Sequence, residues 1–184
     1  MSEERIPRRL KVDLSELEVA FDDASWERSY YLDLETGKVL MVTEEIRQEL
    51  ERVYEEAMPE DRTDEEVDLT PILDRLQSPE WEKEALQEAN EVEKGFGTRY
   101  ISIPRSESSE AYGDMEEFIT MVEDEHLVEL LEVAINGKGA FRRFKDVLAN
   151  YPAERERWFH FKDNRIRERV LEWLKDEGIE LIGE

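Results

Sequence analysis

The chain has 184 residues, 39% hydrophobic and 40% charged, with no cysteine, two histidines and a formal charge of −24. That length suits one ordinary domain, the seven Phe, six Tyr and four Trp supply a core, and the missing cysteine removes disulfides, thiolate metal sites and a cysteine nucleophile. A field of that sign repels nucleic acid and anionic membranes. No window approaches the ~20 apolar residues of a membrane span, and residues 1–12 lack a signal-peptide core, so the sequence reads as soluble and cytoplasmic.

The charge is segregated. Residues 136–175 hold 11 basic and 6 acidic side chains, whereas residues 1–135 hold 14 and 39. The sequence describes a negative body with one positive segment.

Taken in order, residues 1–12 read as a basic, loosely held tail, with Arg5, Arg8, Arg9 and Lys11 around Pro7 and no clear period. Asp13 and Glu16 form a capping pair for a helix with Leu14, Leu17 and Phe21 on one face. Two runs rich in Tyr, Val, Leu and Met flank Glu35-Thr36-Gly37 and predict a β-hairpin over 29–42. Thr43 caps a helix from Glu44 to Ala57, whose Ile46, Leu50, Val53 and Ala57 recur at helical spacing.

Residues 59–68 are acidic and poor in apolar side chains, the pattern of a surface loop. Ile72, Leu73 and Leu76 suggest a short helical turn, after which Ser78-Pro79 opens a helix with Pro at its first position, carrying Trp81, Ala85, Leu86 and Ala89 to Gly95. A third strand over 98–103, ended by Pro104, pairs with the hairpin.

From Ser109 the pattern is helical. Tyr112, Met115, Ile119 and Val122 make one stripe, and Asp124 caps a helix bearing Leu127, Leu130, Leu131, Ala134 and Ile135. Gly137 suits the left-handed residue that closes it. The next helix, 139–149, has Phe141, Phe144 and Leu148 spaced for one face and Arg142, Arg143 and Lys145 on others. Pro152 begins a further helix with Trp158 and Phe161; Ile166, Val170, Trp173 and Leu174 either extend it or form a separate helix after Asp163-Asn164. The fold class is α+β: a small antiparallel sheet, hairpin plus one strand, packed with helices, then a helical C-terminal half, all in one domain over 13–179.

The run Gly137-Lys-Gly-Ala-Phe-Arg-Arg-Phe-Lys-Asp146, with Trp158, Phe161 and Trp173-Leu174 beyond it, resembles a bacterial uncharacterised protein family, UPF0158. The Tyr31–Gly37 hairpin and the strand ending Ile103-Pro104 are also similar to that family's pattern, over roughly 13–179. The resemblance implies a bacterial, soluble protein. It carries over no catalytic residue.

Lys138, Arg142, Arg143 and Lys145 are the candidate anion-binding residues, because backbone amides at a helix N-terminus favour an anion that these cations can surround. The run is no nucleotide P-loop, since Gly139 stands where Ser or Thr would bind magnesium. The competing expectation is structural. Gly137 ends a helix, the phenylalanines enter the core, and the cations bond the molecule's own acids.

Nucleic-acid contact by Arg142, Arg143, Lys145, Arg155, Arg157, Lys162, Arg165, Arg167 and Arg169 is disfavoured by the net charge and by aromatics at core spacing. Mimicry of DNA by the acidic body has bulk charge alone in its favour. His126 and His160 each lack a second His at i+3 or i+4, and Glu123-Asp124-Glu125-His126 reads as a helix cap rather than a metal site. No cofactor or nucleophile-elbow signature occurs. The expectation is a non-enzymatic interaction or regulatory protein whose basic segment meets an anionic group, most often its own, with an unidentified protein partner. Phosphate-ligand or nucleic-acid binding through 138–145, and an enzyme of unrecognised class, are the alternatives.

Overall fold

The computed structural model describes residues 7–57 and 68–183, and its architecture is α+β. The acidic loop expected over 59–68 lies, apart from Asp68, outside the described residues, as do residues 1–6 of the expected basic tail.

The first strand, β1 (Arg8–Leu10), corrects part of that tail reading. It pairs in parallel with the last strand, β5 (Ile179–Leu181), in the register Arg8 to Ile179 and Leu10 to Leu181. Three residues are too few to show a period, and the partner lies at the other end of the chain. Helix α1 (Leu14–Asp22) follows, its Asp13 Oδ1 accepting from the amides of Ser15 and Glu16.

The hairpin forms as β2 (Arg28–Asp33) and β3 (Val39–Thr43). Gly37 in its turn has φ 77°, and a Cβ there would stand 1.9 Å from the Lys11 carbonyl oxygen. The turn therefore docks on the backbone just after β1, and only glycine allows it. Thr43 Oγ1 accepts from the Ile46 amide at the start of α2 (Glu44–Ala57). The short α3 (Thr70–Leu73) precedes α4 (Glu80–Gly95), for which Pro79 is the residue before the first turn rather than in it.

Strand β4 (Tyr100–Ser102) joins β2 antiparallel, giving the order β3-β2-β4, shorter than the expected 98–103 because Gly97 to Arg99 turn the chain into it. Alternation along these strands sends Leu40, Val42 and Tyr100 toward α2 and α4, and Leu32 and Ile101 toward α1 and the end of the last helix. Both faces of the small sheet are covered. Trp81 of α4 is 65% exposed, whereas Leu86 and Ala89 of the same helix are buried.

The C-terminal half comprises α5 (Ser108–Thr120), α6 (Glu125–Ala134), α7 (Ala140–Leu148) and α8 (Pro152–Asp176). Asp124 caps α6 through the amides of His126 and Leu127. Helix α8 passes unbroken through Asp163-Asn164. Its Trp158 packs among Phe118 and Phe144 of the helical cluster, while its Ile166, Val170 and Leu174 pack with Leu17, Phe21 and Leu32 of the mixed part. One helix thus belongs to both halves.

Candidate functional site

The glycine-basic run separates into four fates. Gly137 and Gly139 both have positive φ, 80° and 79°, and bend the chain between α6 and α7. A helix ends with unpaired carbonyls carrying the negative end of its dipole. Arg143 reaches back over that end: Nε donates to the Ala134 carbonyl at 2.9 Å, Nη2 to that of Asn136 and Nη1 to that of Lys138. Tyr112 Oη donates to the Ile135 carbonyl at 3.1 Å, and Asn136 Nδ2 to that of Glu132 at 3.0 Å. Arg143 is thereby engaged with its own backbone.

Arg142 points away, its side chain 90% exposed and 3.9 Å from Asp146 on the next turn. Lys138 is exposed on the bend itself. Phe144 enters the core, but Phe141, expected beside it, is 41% exposed. Phe141 and Lys145 stand four residues apart on α7 and line a cavity of about 400 Å³. Of the four cations singled out in the sequence, Lys145 alone reaches this cavity, so the structure does not bring the four together around one point.

Five of the remaining cations of the segment are paired, four of them across the fold. Lys162 Nζ lies 2.7 Å from Asp22, Arg167 Nε 2.6 Å from Glu18, and Arg169 holds Asp114 with two bonds of 2.8 and 2.7 Å. Arg165 bonds Glu117 and Glu168, and Arg157 bonds Glu154 and the Met121 carbonyl. Asp114 sits almost wholly buried on α5, and its hydrogen bonds hold the Arg169 guanidinium above its ordinary pKa against the opposing effect of burial. The positive segment is the internal counter-charge of α1 and α5.

The cavity opens where the halves meet. Its wall takes Asp22 from α1, Ser106 from the segment after β4, Asp114 from α5, Phe141 and Lys145 from α7, and Trp158 from α8. Trp158 is only 5% exposed, and neither its indole Nε1 nor the Ser106 Oγ has a hydrogen-bond partner among the described residues. Sequence reasoning grouped Lys162 and Arg169 only as phosphate contacts for a nucleic acid and did not join them with Ser106 and Asp114. The available signal was Asp114, an acid beside Met115 on the apolar side of a helix.

A second cleft, of about 370 Å³, lies between the sheet, α2 and α4, lined by Tyr31, Val42, Leu50, Val92 and Phe96 with Arg47 and Glu93. Phe96 stands edge-on to Tyr31 at 6.3 Å, and Arg47 Nη2 donates to the Tyr31 hydroxyl at 2.9 Å. Tyr54 Oη donates to Asn90 Oδ1, joining α2 to α4. Nearby, Asp33 is 3% exposed. Burial alone would raise its pKa, but bonds from Arg99 at 3.0 and 2.7 Å, from the Glu35 amide and from Thr36 hold it well below the ordinary carboxylate range. This pair fixes β4 against the hairpin turn. Among the described residues, no group of three His, Asp or Glu side chains is placed to hold a metal ion, and no helix is long and apolar enough to cross a membrane.

The sequence model of the uncharacterised protein family UPF0158 matches residues 71–184, well over half of the chain. The chain belongs to this family. The matched UPF0158 region holds α4, β4 and the whole helical half, including α7 and the Lys145 side of the cavity. A UPF0158 protein of Pseudomonas aeruginosa is 28% identical over 173 residues, which is 94% of this chain and 87% of the relative. No solved structure matches the chain.

Proposed function

We propose that the protein acts by binding, as an acidic interaction protein of the bacterial cytoplasm, and that its partner presents a basic segment with an apolar anchor to the α2–α4 face. The observation that carries this is where the charge remains after internal pairing. Most cations of 142–169 are held by backbone carbonyls or by the acids of α1, α5 and α8 itself. The helices α2 and α4, which pack side by side, carry twelve acidic and four basic residues between them.

A partner's cations would meet that acidic surface, and complementary charge raises the rate and orientation of encounter more than the final affinity. Affinity comes from desolvated anchors. The cleft beside Phe96, itself 60% exposed, has the size and lining to take one aromatic or aliphatic side chain.

The test uses lysine-rich peptides with and without a central Trp, measured by fluorescence anisotropy against the full chain. The anchored peptide should bind about tenfold tighter, Phe96→Ser should erase that advantage, and added salt should weaken both peptides. Equal affinity of the two peptides, or an advantage surviving in Phe96→Ser, refutes the reading. Direct binding of labelled heparin to the chain, with no peptide present, would point instead to a nucleic-acid role for the basic helix.

A further inference from the structure

The cavity between the two halves is separate from the acidic face, and its unused chemistry is of one kind. Two of its three acids are already spoken for, Asp22 by Lys162 and Asp114 by Arg169. Glu107 accepts from the Ser109 hydroxyl and belongs to the cap of α5. Among the described residues lining the cavity, the Lys145 ammonium has no ion pair and stands open, whereas the Trp158 indole N–H and the Ser106 hydroxyl, also unpartnered, are closed off from solvent. An indole nitrogen only donates, an ammonium only donates, and a hydroxyl does either. An ammonium that reaches a cavity wall and is not held by the chain's own acids is free to take an acceptor from outside the chain.

The rest of the wall is apolar. Phe141, Ile166, Ala24 and Ala111 line it together with the Trp158 ring. Its volume, about 400 Å³, lies within the ~300–1,000 Å³ of small-ligand sites. The charge balance limits the ligand further. Lys145, Lys162 and Arg169 balance Asp22, Glu107 and Asp114 around the same space, with two of these acids ion-paired, so one added negative charge can be drawn to the unpaired ammonium while a second would find no unpaired cation.

We infer that this cavity is a binding site for a small monocarboxylic acid with an apolar body, its carboxylate taken by Lys145 and its body lying against Phe141 and Trp158. This arrangement gives the basic run its one outward-directed use. Within it, Arg143 holds the preceding helix end and Phe144 fills the core, while Phe141 and Lys145 present an apolar surface and a cation on the same face of α7.

The experiment titrates the full chain with phenylacetate and 4-methylpentanoate, and with the corresponding neutral amides, by calorimetry and by amide chemical shifts. The acids should bind with millimolar affinity or better and at least tenfold tighter than the amides. Lys145→Gln, an exposed substitution that should leave the fold intact, should abolish the acid-over-amide preference. Phe141→Ser removes an exposed part of the apolar wall and should weaken the acids several-fold; if that variant unfolds, shifts of the α7 amides on adding acid to the wild-type chain replace it. No acid binding, an equal response to acids and amides, or a preference that survives Lys145→Gln overturns the inference. Phe96→Ser, which tests the peptide face, should leave the acid titration unchanged, so the two proposals fail separately.

Discussion

Replacing Arg143 by Gln should lower the stability of the fold by about 2 kcal/mol. The guanidinium donates through all three nitrogens to the carbonyls of Ala134, Asn136 and Lys138, and glutamine is too short to reach them. A hydrogen bond from a charged donor contributes about 1.5–3 kcal/mol where both groups are desolvated. Here the side chain is exposed and the released carbonyls can take water, so three such bonds together are reduced to the value of about one. Arg142→Gln is the matched control: with its partner Asp146 at 3.9 Å and 90% of its side chain in solvent, it should cost less than about 0.5 kcal/mol. In urea, with a slope of roughly 2 kcal/mol per molar for a domain of this size, the midpoint should fall by about 1 M for Arg143→Gln and hardly move for Arg142→Gln. Amide exchange across 136–139 should quicken in the first variant alone. Equal midpoints for the two variants would refute the claim that this guanidinium closes the end of α6.

Leu10→Ala should cost about 2–3 kcal/mol by thermal or urea unfolding, because Leu10 is buried against the α1, β5 and α8 cluster; a neutral result would mean that β1 is not part of the core. Gly37→Ala should cost about 3 kcal/mol or prevent folding, since the new methyl group overlaps the Lys11 carbonyl and the backbone stays at φ 77°; circular dichroism melts check it. Asp33→Asn should show a pH-dependent deficit. The Asp33 pKa is depressed in the folded state, so its stabilisation is fully present above the unfolded carboxylate value near ~4 and is lost as pH falls toward the folded value. The stability gap between wild type and variant should be constant from about pH 5 to 8 and narrow below about pH 4, and a gap that widens in acid would contradict the assignment.

The sequence showed most clearly those features that are local. Asp13, Thr43 and Asp124 cap helices because a short polar side chain acts on amides two or three residues ahead, and that spacing can be read directly. The hairpin and the αL glycine after α6 are legible for the same reason. The β1–β5 pair was not, because each strand has three residues and its partner is remote in sequence. Helical spacing also placed Phe141 with Phe144 and Leu148, yet a three-residue offset leaves room for one of them to sit at the edge of the buried arc, where the cavity begins. Which cation pairs with which acid was illegible throughout. Lys162, Arg165, Arg167 and Arg169 find Asp22, Glu117, Glu18 and Asp114 through the crossing of α8 over α1 and α5, a fact of packing and not of order along the chain.

The clasp between Arg8–Leu10 and Ile179–Leu181 has a bearing on biosynthesis. Arg8–Leu10 leaves the ribosome well before Ile179–Leu181 and must wait for it, and until α8 is made Leu10, Leu17 and Leu32 lack the cover of Ile166, Val170 and Leu174. The sheet is therefore left with one greasy side uncovered until α8 has been made. A nascent chain halted before α8 should be a chaperone client and readily cut by protease, and lengthening it past residue 181 should switch both properties off together.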